Sequence, residues 1–224
     1  IQAGNDMLCY AEQIPESIEL ILNEVSRPRI EASFKRIWDL KSRAFRGTAE
    51  VIASKSSPAA LNCQLARECL IELGDVQAAN AAFRKEGFEL IAVGQAPGEF
   101  VKTLRETQNF KTHTSSSGVG MPTGPDIQSQ NVLISLRPPQ MKPKGFFGLP
   151  STLLSELEGI SAEKNIVLYL FGSPYVLTKL PLHLFSGVVC AFQSQPVFQE
   201  TAGHHFLVHI KPKGETPIDL VYDN

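Results

Sequence analysis

Few residues of this chain stand at the spacings that catalysis requires. The loop GQAPGE, residues 94–99, follows an apolar, strand-like run and precedes a helical pattern, which is where an open α/β sheet holds an anion. Its glycines do not form the GxGxxG pattern, and the loop lacks the lysine of a Walker sequence. Gln95 and Glu99 would add little to phosphate binding. We interpret the loop as a structural turn and keep a ligand-binding loop as the alternative.

Histidines are the second group that could do chemistry. His204 and His205 are adjacent and His209 follows, but residues 207–210 have the pattern of a strand, which separates side chains that a helix would bring together. No Cys, Asp or Glu stands at ligand spacing beside them, and no pair of carboxylates is positioned by the sequence as acid and base. These patterns therefore predict no metal site, no cofactor and no identifiable active site.

Two long loops are rich in Gly, Ser and Pro. SSSGVGMPTGP, residues 115–125, has no charged side chain and no GxSxG elbow around its serines. PPQMKPKGFFGLP, residues 138–150, holds two lysines and the pair Phe146 and Phe147. An exposed aromatic pair beside lysines could contact a partner domain or the face of a sugar. Both loops can equally be plain connections, and both interpretations stay open.

Composition limits the classes of partner. The chain has 224 residues, of which 43% are hydrophobic and 20% charged, which predicts one globular domain or two small ones. The net charge of −2 offers no excess of Lys and Arg to neutralise phosphates, so we expect no nucleic-acid partner. The apolar run at 166–171 is far shorter than the ~20 residues that span a membrane. The sequence also contains no secretory signal pattern.

The cysteines bear on the cellular compartment. None of the four, Cys9, Cys63, Cys69 and Cys190, belongs to a CxxC pair. We interpret all four as small core or near-core residues in a reducing compartment rather than as a disulfide framework. This favours the cytoplasm and leaves the periplasm open, because the natural amino terminus can lie upstream of Ile1.

The first 46 residues predict one strand and two helices. NDMLCY, residues 5–10, has the pattern of a short strand, and a helix is expected at about 15–25, with Pro15 in its first turn. A second helix at 29–45 is predicted from an apolar stripe formed by Ile30, Phe34, Ile37, Trp38 and Phe45. One strand and two helices cannot bury their own apolar faces, so we expect them to pack on something else.

From residue 57 onward, helical and strand patterns alternate. Helices are predicted at about 57–73, 76–85, 97–107, 150–158, 174–179 and 196–204, and strands at 88–93, 110–114, 132–136, 166–171, 188–192, 207–210 and 217–221. The main strand candidates are nearly continuous apolar runs, as expected of strands buried on both faces of a parallel sheet. The prediction is therefore a doubly wound, flavodoxin-like sheet of five or six strands.

Several stretches together resemble glycoside hydrolase family 3. AGNDML at 3–8, IPESIELI at 14–21, RIEAS at 29–33 and RIWDLK at 36–41 are similar to the end of that family's barrel domain. IVLYLFGSPYVLTKL at 166–180, VVCAFQSQPVFQET at 188–201 and KGETPI at 213–218 resemble segments of its second domain. The order and spacing of the blocks match over most of the chain, whereas residues 69–74 and 204–206 depart from the family pattern.

The resemblance is nearest the β-N-acetylhexosaminidase branch, whose bacterial members act on N-acetylglucosamine in peptidoglycan fragments. It implies a (β/α)8 barrel followed by an α/β sandwich, with residues 1–46 as the closing strand and helices of the barrel, 47–56 as a linker and 57–224 as the sandwich. The family's catalytic Asp and His would lie upstream of Ile1, so the resemblance assigns no catalytic residue to this chain. It makes Asp6 and Met7 candidate substrate-binding residues, with a structural hydrogen-bonding role as the alternative for Asp6.

The resemblance implies a retaining glycosidase, in which this chain is structural or lends a loop, 115–125 or 138–148, to the pocket. Its partners would be the missing barrel domain of the same protein and a carbohydrate substrate, with no nucleic acid and no membrane span. Two other classes stay open. One is a non-catalytic domain that holds a small ligand at the switch point near Gly94–Gly98, and the other is an inactive homologue that serves as a scaffold.

Overall fold

The structure, a computed structural model, describes residues 2–9, 11–46, 57–116, 119–122, 126–142, 144–208 and 210–218. The chain divides into two compact units, Ile1–Lys55 and Ser56–Asn224. The linker predicted at 47–56 lies outside the described residues.

The first unit contains the two predicted helices, α1 at Ile14–Glu24 and α2 at Arg27–Arg46. Pro15 lies in the first turn of α1, where its missing N–H costs no hydrogen bond. The strand predicted at 5–10 is not formed in residues 5–9, and residue 10 lies outside the described part. A strand needs a neighbour to hydrogen-bond with, and the described residues of this unit supply none.

Both helices of the first unit expose large apolar side chains. Phe34 and Trp38 stack at 5.9 Å between ring centroids, yet both are more than half exposed. The exposed set continues with Ile14, Ile18, Leu20, Leu22, Leu40 and Phe45. Ser33 is the buried residue of α2; in the apolar stripe of this helix, Phe34, Trp38 and Phe45 are exposed, whereas Ile30 and Ile37 are half-buried.

The second unit is built on a six-stranded sheet. Its strands are β1 Ile71–Gly74, β2 Glu89–Val93, β3 Thr112–Ser115, β4 Asn131–Leu136, β5 Asn165–Leu170 and β6 Gly187–Cys190. They lie in the order β1-β6-β5-β4-β2-β3; β1 is antiparallel to β6 and every other neighbouring pair is parallel. The five parallel strands have the flavodoxin order, which confirms the prediction of a doubly wound α/β sheet.

Five helices accompany the sheet: α3 Pro58–Cys69, α4 Val76–Glu86, α5 Glu99–Arg105, α6 Leu153–Ser161 and α7 Pro196–Phe206. Short 3-10 segments lie at Phe146–Gly148, Pro174–Lys179 and Leu182–Leu184. Ser57 caps α3 by accepting the Ala60 N–H at 3.1 Å, and Asp75 caps α4 by accepting the Ala78 N–H at 3.2 Å.

Five sequence predictions about these elements were wrong. The helix predicted to reach Leu73 ends at Cys69, because Ile71–Gly74 pairs with β6 and becomes an edge strand. Pro97 and Pro150 precede α5 and α6 instead of opening them. The strand predicted at 207–210 is a turn at Leu207 and Val208, and the described part of the strand predicted at 217–221 forms a bend.

The core of the second unit consists of two apolar layers, one on each face of the sheet. On one face, Leu153 and Leu157 of α6 belong to the same buried cluster as Ile134 and Leu168 of the sheet. On the other face, α4, α5 and α7 contribute Phe83, Phe100 and Phe206, which cluster with strand residues including Leu90 and Tyr169. Full burial of each such side chain stabilises the folded state by roughly 1.5–3 kcal/mol. The two layers therefore hold the sheet, and with it the loops at the ends of its strands, in place.

The cysteines correct another prediction. Cys190 is buried in β6, where desolvation raises the pKa of its thiol to about 12. Cys9, Cys63 and Cys69 are exposed, contrary to the prediction that all four lie in or near the core. All four are free thiols, so the compartment is not fixed by a disulfide.

Candidate functional site

The carboxyl ends of parallel strands form the edge where open α/β sheets bind ligands. Strand order reverses between β2 and β4, so the loop 94–98 after β2 and Arg137 after β4 lie at the switch point. The loops 115–125 and 138–150 leave the same edge, after β3 and β4. The topology thus gathers three of the stretches that the sequence singled out.

Gly94 lies at the switch point, where the backbone of Arg137 comes too close for a residue with a side chain. Its φ is +91°, and a Cβ placed there would stand 2.2 Å from the carbonyl oxygen of Arg137. The Gly94 N–H donates to the Ser115 carbonyl at 2.8 Å, and the Arg137 N–H donates to the Val93 carbonyl at 2.9 Å. The turn is therefore tied to both neighbouring strands.

The guanidinium of Arg137 binds the loop itself. It donates to the Ala96 carbonyl and, from Nη2, to Oε1 of Gln95 at 2.9 Å. Burial lowers the pKa of Arg137 below its ordinary value. A Cβ on Gly98 would meet Oε1 of Gln199 at 2.3 Å, so Gly98 permits this close packing. The arrangement favours the structural interpretation of the loop.

A cleft of about 700 Å³ lies between the ends of the two long loops. We call it the loop cleft; its lining residues are Ser116, Val119, Gly120, Leu149, Pro150, Ser151, Thr152 and Glu156. It lies at the carboxyl edge, since Ser116 directly follows β3 and Thr152 directly precedes α6. Each loop was singled out from the sequence, but the cleft that they form together was not predicted.

The wall of the loop cleft formed by residues 149–152 comes directly after a turn of left-handed backbone. Gly145, Phe146, Phe147 and Gly148 all have positive φ, between 54° and 74°. Such a backbone costs roughly 1–2 kcal/mol at each non-glycine residue, and here the burial of Phe147 opposes that cost. Phe147 is buried and Phe146 is half-buried, so the prediction of an exposed aromatic pair was wrong, because the turn directs the rings to the core.

Glu156 is a residue of this site that was not singled out from the sequence. It lies in the first turn of α6, and its Oε2 atom is buried without a hydrogen-bond partner among the described residues. Its other oxygen faces Gly120, where a Cβ would stand only 2.8 Å away. The weak signal in the sequence was an acidic residue early in a helix that follows a parallel strand.

Asp6, a candidate from the sequence, lies in a cluster of hydrogen bonds in the first unit. Its Oδ1 accepts from Arg29 at 3.0 Å, from the Ser33 hydroxyl at 2.8 Å and from Arg36 at 2.6 Å. Its Oδ2 accepts from Nε of Arg36 at 2.7 Å. The bonds from Arg36, then from Ser33 and Arg29, hold the pKa of Asp6 well below its usual range. Met7, the other candidate, is 60% exposed.

In the second unit, the buried His205 lies at the centre of a row of hydrogen-bonded polar side chains. His205 is fully buried; its Nε2 lies 2.8 Å from Glu72 Oε1 and its Nδ1 lies 2.9 Å from the Tyr169 hydroxyl. Asn80 donates to that hydroxyl at 2.8 Å. Burial raises the pKa of Tyr169 far above its ordinary value, so the hydroxyl stays protonated. In the tautomer whose Nδ1 accepts a hydrogen bond from this hydroxyl, the Nε2–H group of His205 donates to Glu72.

Neither a metal centre nor a membrane helix is present in the described ranges. No group of three or more His, Cys, Asp or Glu side chains in the described part is placed to hold a metal ion. His209 lies outside that part, whereas His204 and His205 belong to α7. None of the described helices is both long and apolar enough to cross a bilayer.

Comparison with known proteins adds likeness of fold. No protein-family model and no curated protein matches the chain by sequence. Among solved structures, the chain is similar to the β-glucoside phosphorylase BglX, with 15% identity, a TM-score of 0.64 and coverage of 97% of this chain and 44% of that one. A glycoside hydrolase family 3 β-N-acetylglucosaminidase from Paenibacillus sp. str. FPU-7 matches with 15% identity and a TM-score of 0.53 over 90% of this chain and 41% of its own.

A third similar structure is a fungal multi-domain GH3 β-N-acetylglucosaminidase, which matches with 14% identity and a TM-score of 0.59 over 98% of this chain and 27% of its own. The chain thus spans less than half the length of the solved structures it resembles. At these identities the likeness concerns the fold. The chain has a fold shared with glycoside hydrolase family 3 structures, of which it covers a part, as the sequence resemblance implied.

Proposed function

We propose that this chain is the carboxyl-terminal portion of a retaining glycoside hydrolase that resembles the β-N-acetylhexosaminidases, and that its own role is structural or site-supporting. The observation that carries the proposal is the unequal coverage: nearly all of this chain matches, but less than half of each solved structure is matched. On this proposal, the rest of the enzyme, including its nucleophile and acid/base, lies upstream.

The first unit supports the proposal through its uncovered apolar surface. Trp38 and Phe45 on α2 and Ile18 on α1 are all more than half exposed. Isolated exposed apolar residues are normal, but a stripe along two helices indicates a surface that another body covers. The remaining strands and helices of a (β/α)8 barrel would be that body, and residues 5–9 would then gain the neighbouring strand they lack here.

In the whole enzyme, the proposed reaction is hydrolysis of a terminal β-linked N-acetylhexosamine. A carboxylate from the upstream barrel would attack the anomeric carbon while an upstream acid protonates the departing glycosidic oxygen, so the glycosidic bond breaks as the glycosyl-enzyme forms. Water, deprotonated by the same acid/base group, would then hydrolyse the glycosyl-enzyme; both steps would pass through an oxocarbenium-like transition state. This chain would close the barrel through α1 and α2 and lend a loop, 115–125 or 138–148, to the rim of the substrate pocket. Asp6 and Met7 remain the candidate substrate-binding residues of this chain.

The test compares two proteins on a chromogenic N-acetylglucosaminide. The longer protein that includes the upstream region should hydrolyse it with retention of configuration, and the 224-residue chain alone should not. Absence of hydrolysis by a folded longer protein would contradict the proposal and favour a non-catalytic binding or scaffold role. An upstream sequence without an Asp and a His at the barrel motifs would point the same way.

A further inference from the structure

A pocket of about 480 Å³ in the second unit is lined almost entirely by basic side chains. We call it the basic pocket; its described lining residues are Arg67, His204, Ile210, Lys211 and Lys213. The chain as a whole has a net charge of −2, so its composition does not reveal this local excess of positive charge. An anion that enters the pocket is attracted by these side chains, whereas a cation is repelled.

Two packed helices position the first two basic side chains. Arg67 lies in the last turn of α3 and directly follows Ala66, which is buried. His204 lies in α7 between Gly203 and His205, both of which are buried. Because α3 packs against α7, these buried neighbours fix where Arg67 and His204 leave their helices, while Arg67 itself stays exposed.

The two lysines reach the pocket on a segment that is fastened to the end of α3. The N–H of Gly214 donates to the Leu70 carbonyl at 3.0 Å. A Cβ at Gly214 would stand 2.6 Å from the carbonyl oxygen of Cys69, so glycine permits this close approach of two backbones. Lys213 directly precedes this contact, and Lys211 lies two residues before it. Both lysines are exposed, so a dissolved molecule can reach them.

The carboxylates closest in sequence to these cations line a different cleft. Glu68 directly follows Arg67, and Glu215 lies two residues after Lys213. Both glutamates belong to the lining of a second cleft, which also contains Phe192. Side chains of opposite charge that are neighbours in the sequence are therefore sorted into two different clefts, and no Asp or Glu is among the described residues that line the basic pocket.

Most cations of the basic pocket lack a counter-charge. Arg67, Lys211 and Lys213 form no ion pair with any carboxylate of the described residues. His204 differs, because its Nε2 lies 3.8 Å from Glu200 Oε1. Three like charges around one cavity repel one another, and an anion between them removes that repulsion. The pocket therefore favours a negatively charged ligand.

We propose that the basic pocket binds the phosphate group of a small molecule. Three cations without a described partner favour a ligand with more than one negative charge, and a phosphate monoester carries about −1.5 to −2 charges at pH 7, more than a carboxylate does. The planar guanidinium of Arg67 can donate to two phosphate oxygens at once, whereas the ammonium groups of Lys211 and Lys213 act as point charges. The proposal rests on this pocket alone and holds whether or not the longer protein is a glycosidase.

The test is a titration of the isotopically labelled 224-residue chain with inorganic phosphate, glucose 6-phosphate, acetate and glucose at about pH 7. Ionic strength is held constant, because salt screens exposed charges. We expect both phosphates to shift the backbone amide signals of residues 67, 204 and 210–214, acetate to bind at least tenfold more weakly, and glucose to cause no shift. Tighter binding of glucose 6-phosphate than of inorganic phosphate would identify a phosphate ester as the ligand, and the reverse order would identify the free ion.

Charge-removing variants locate the binding at this pocket. Arg67→Gln and the double change Lys211→Gln with Lys213→Gln should each weaken phosphate binding at least tenfold. Lys85→Gln removes an exposed lysine of α4 and is the matched control, which should bind phosphate as the unchanged chain does. Arg67→Lys should recover only part of the affinity, since it keeps the charge and loses the paired donors.

Folding and binding are separated by thermal unfolding without ligand. The variants should unfold at the same temperature as the unchanged chain or higher, because they remove exposed charges that repel one another, so lost binding cannot be assigned to unfolding. Equal binding of acetate and phosphate, undiminished binding by the double lysine variant, or no shift at tens of millimolar phosphate would each overturn the proposal. Tighter binding of a single-stranded oligonucleotide than of either phosphate would overturn it in favour of a polyanion surface. None of these outcomes depends on glycosidase activity.

Discussion

Arg36 donates to both carboxylate oxygens of Asp6, from Nε to Oδ2 at 2.7 Å and from Nη2 to Oδ1 at 2.6 Å. This two-pronged pairing ties the segment before α1 to the middle of α2, across 30 residues of chain. Because both oxygens are occupied, the geometry favours the structural role of Asp6. The substrate-binding role of Asp6 and Met7 remains a prediction.

Asp6→Asn should loosen the first unit, because Arg29 and Arg36 then lose the carboxylate that they share. We expect faster amide hydrogen exchange in α2 around Ser33, and the same increase for Arg36→Lys, since lysine cannot reproduce the paired N–H donors. The double variant should exchange no faster than either single one. Asp39→Asn, an exposed change on α2, is the matched control. Unchanged exchange in Asp6→Asn would contradict a structural role.

His205→Ala should destabilise the second unit by about 3 kcal/mol, because it opens a cavity and removes one hydrogen bond each from Glu72 and the Tyr169 hydroxyl. Tyr169→Phe should cost about 2 kcal/mol for the same reason. Urea denaturation of both variants and of the double variant measures the coupling; the combined loss should be smaller than the sum. His204→Ala, its partly exposed neighbour, should change stability by less than about 0.5 kcal/mol. Additive losses would show that the two side chains act separately.

Glu89 should make the second unit sensitive to acid. Burial alone would raise the pKa of Glu89, but the bond from His113 at 2.6 Å and those from the Ser129 and Gln128 N–H groups lower it overall. A carboxyl whose folded pKa lies below its unfolded value of about 4.3 stabilises fully above that value and loses the contribution as pH falls through the folded pKa.

The measurement is the free energy of unfolding at pH 7 and at successively lower pH for the unchanged chain and for Glu89→Gln. The variant should be less stable at pH 7 by about 2 kcal/mol, and the difference should shrink below about pH 4. Glu86→Gln, in the preceding helix, serves as the control. A difference that stays constant with pH would exclude Glu89 as the source of acid sensitivity.

Gly94→Ala should destabilise more than Gly87→Ala, although both glycines have φ near +90°. Alanine at position 87 meets nothing within 4 Å and incurs only the backbone strain, whereas alanine at position 94 also meets the Arg137 carbonyl at 2.2 Å. We expect about 1 kcal/mol at position 87 and at least twice that at position 94. Equal losses from thermal unfolding would mean that the switch point is not tightly packed.

The sheet was predictable because its central strands are apolar on both faces, and such runs are visible in the sequence without any tertiary knowledge. β1 was missed because Ile71–Gly74 is short, directly follows α3, and becomes a strand only through pairing with Cys190 and its neighbours. The left-handed turn at Phe146 was beyond prediction, since phenylalanine rarely has positive φ and the core packing that holds it is not local.

The candidate site was less predictable than the fold. The hydrogen bonds of Asp6 join residues 23 to 30 positions apart, so no local sequence pattern predicts them. The two loops of the loop cleft were recognised by composition, but their meeting depends on the order of the strands. Glu156 looks like any acidic residue in a first helical turn until the structure shows its buried oxygen without a donor.

The central proposal is that the 224-residue chain is the carboxyl-terminal part of a retaining glycosidase whose catalytic residues lie elsewhere. The most direct measurement is the rate at which the purified chain and the longer protein with its upstream region release chromophore from a β-N-acetylglucosaminide. The account predicts turnover by the longer protein and none by the chain alone. Turnover by the chain alone, or by neither protein when both are folded, would contradict it.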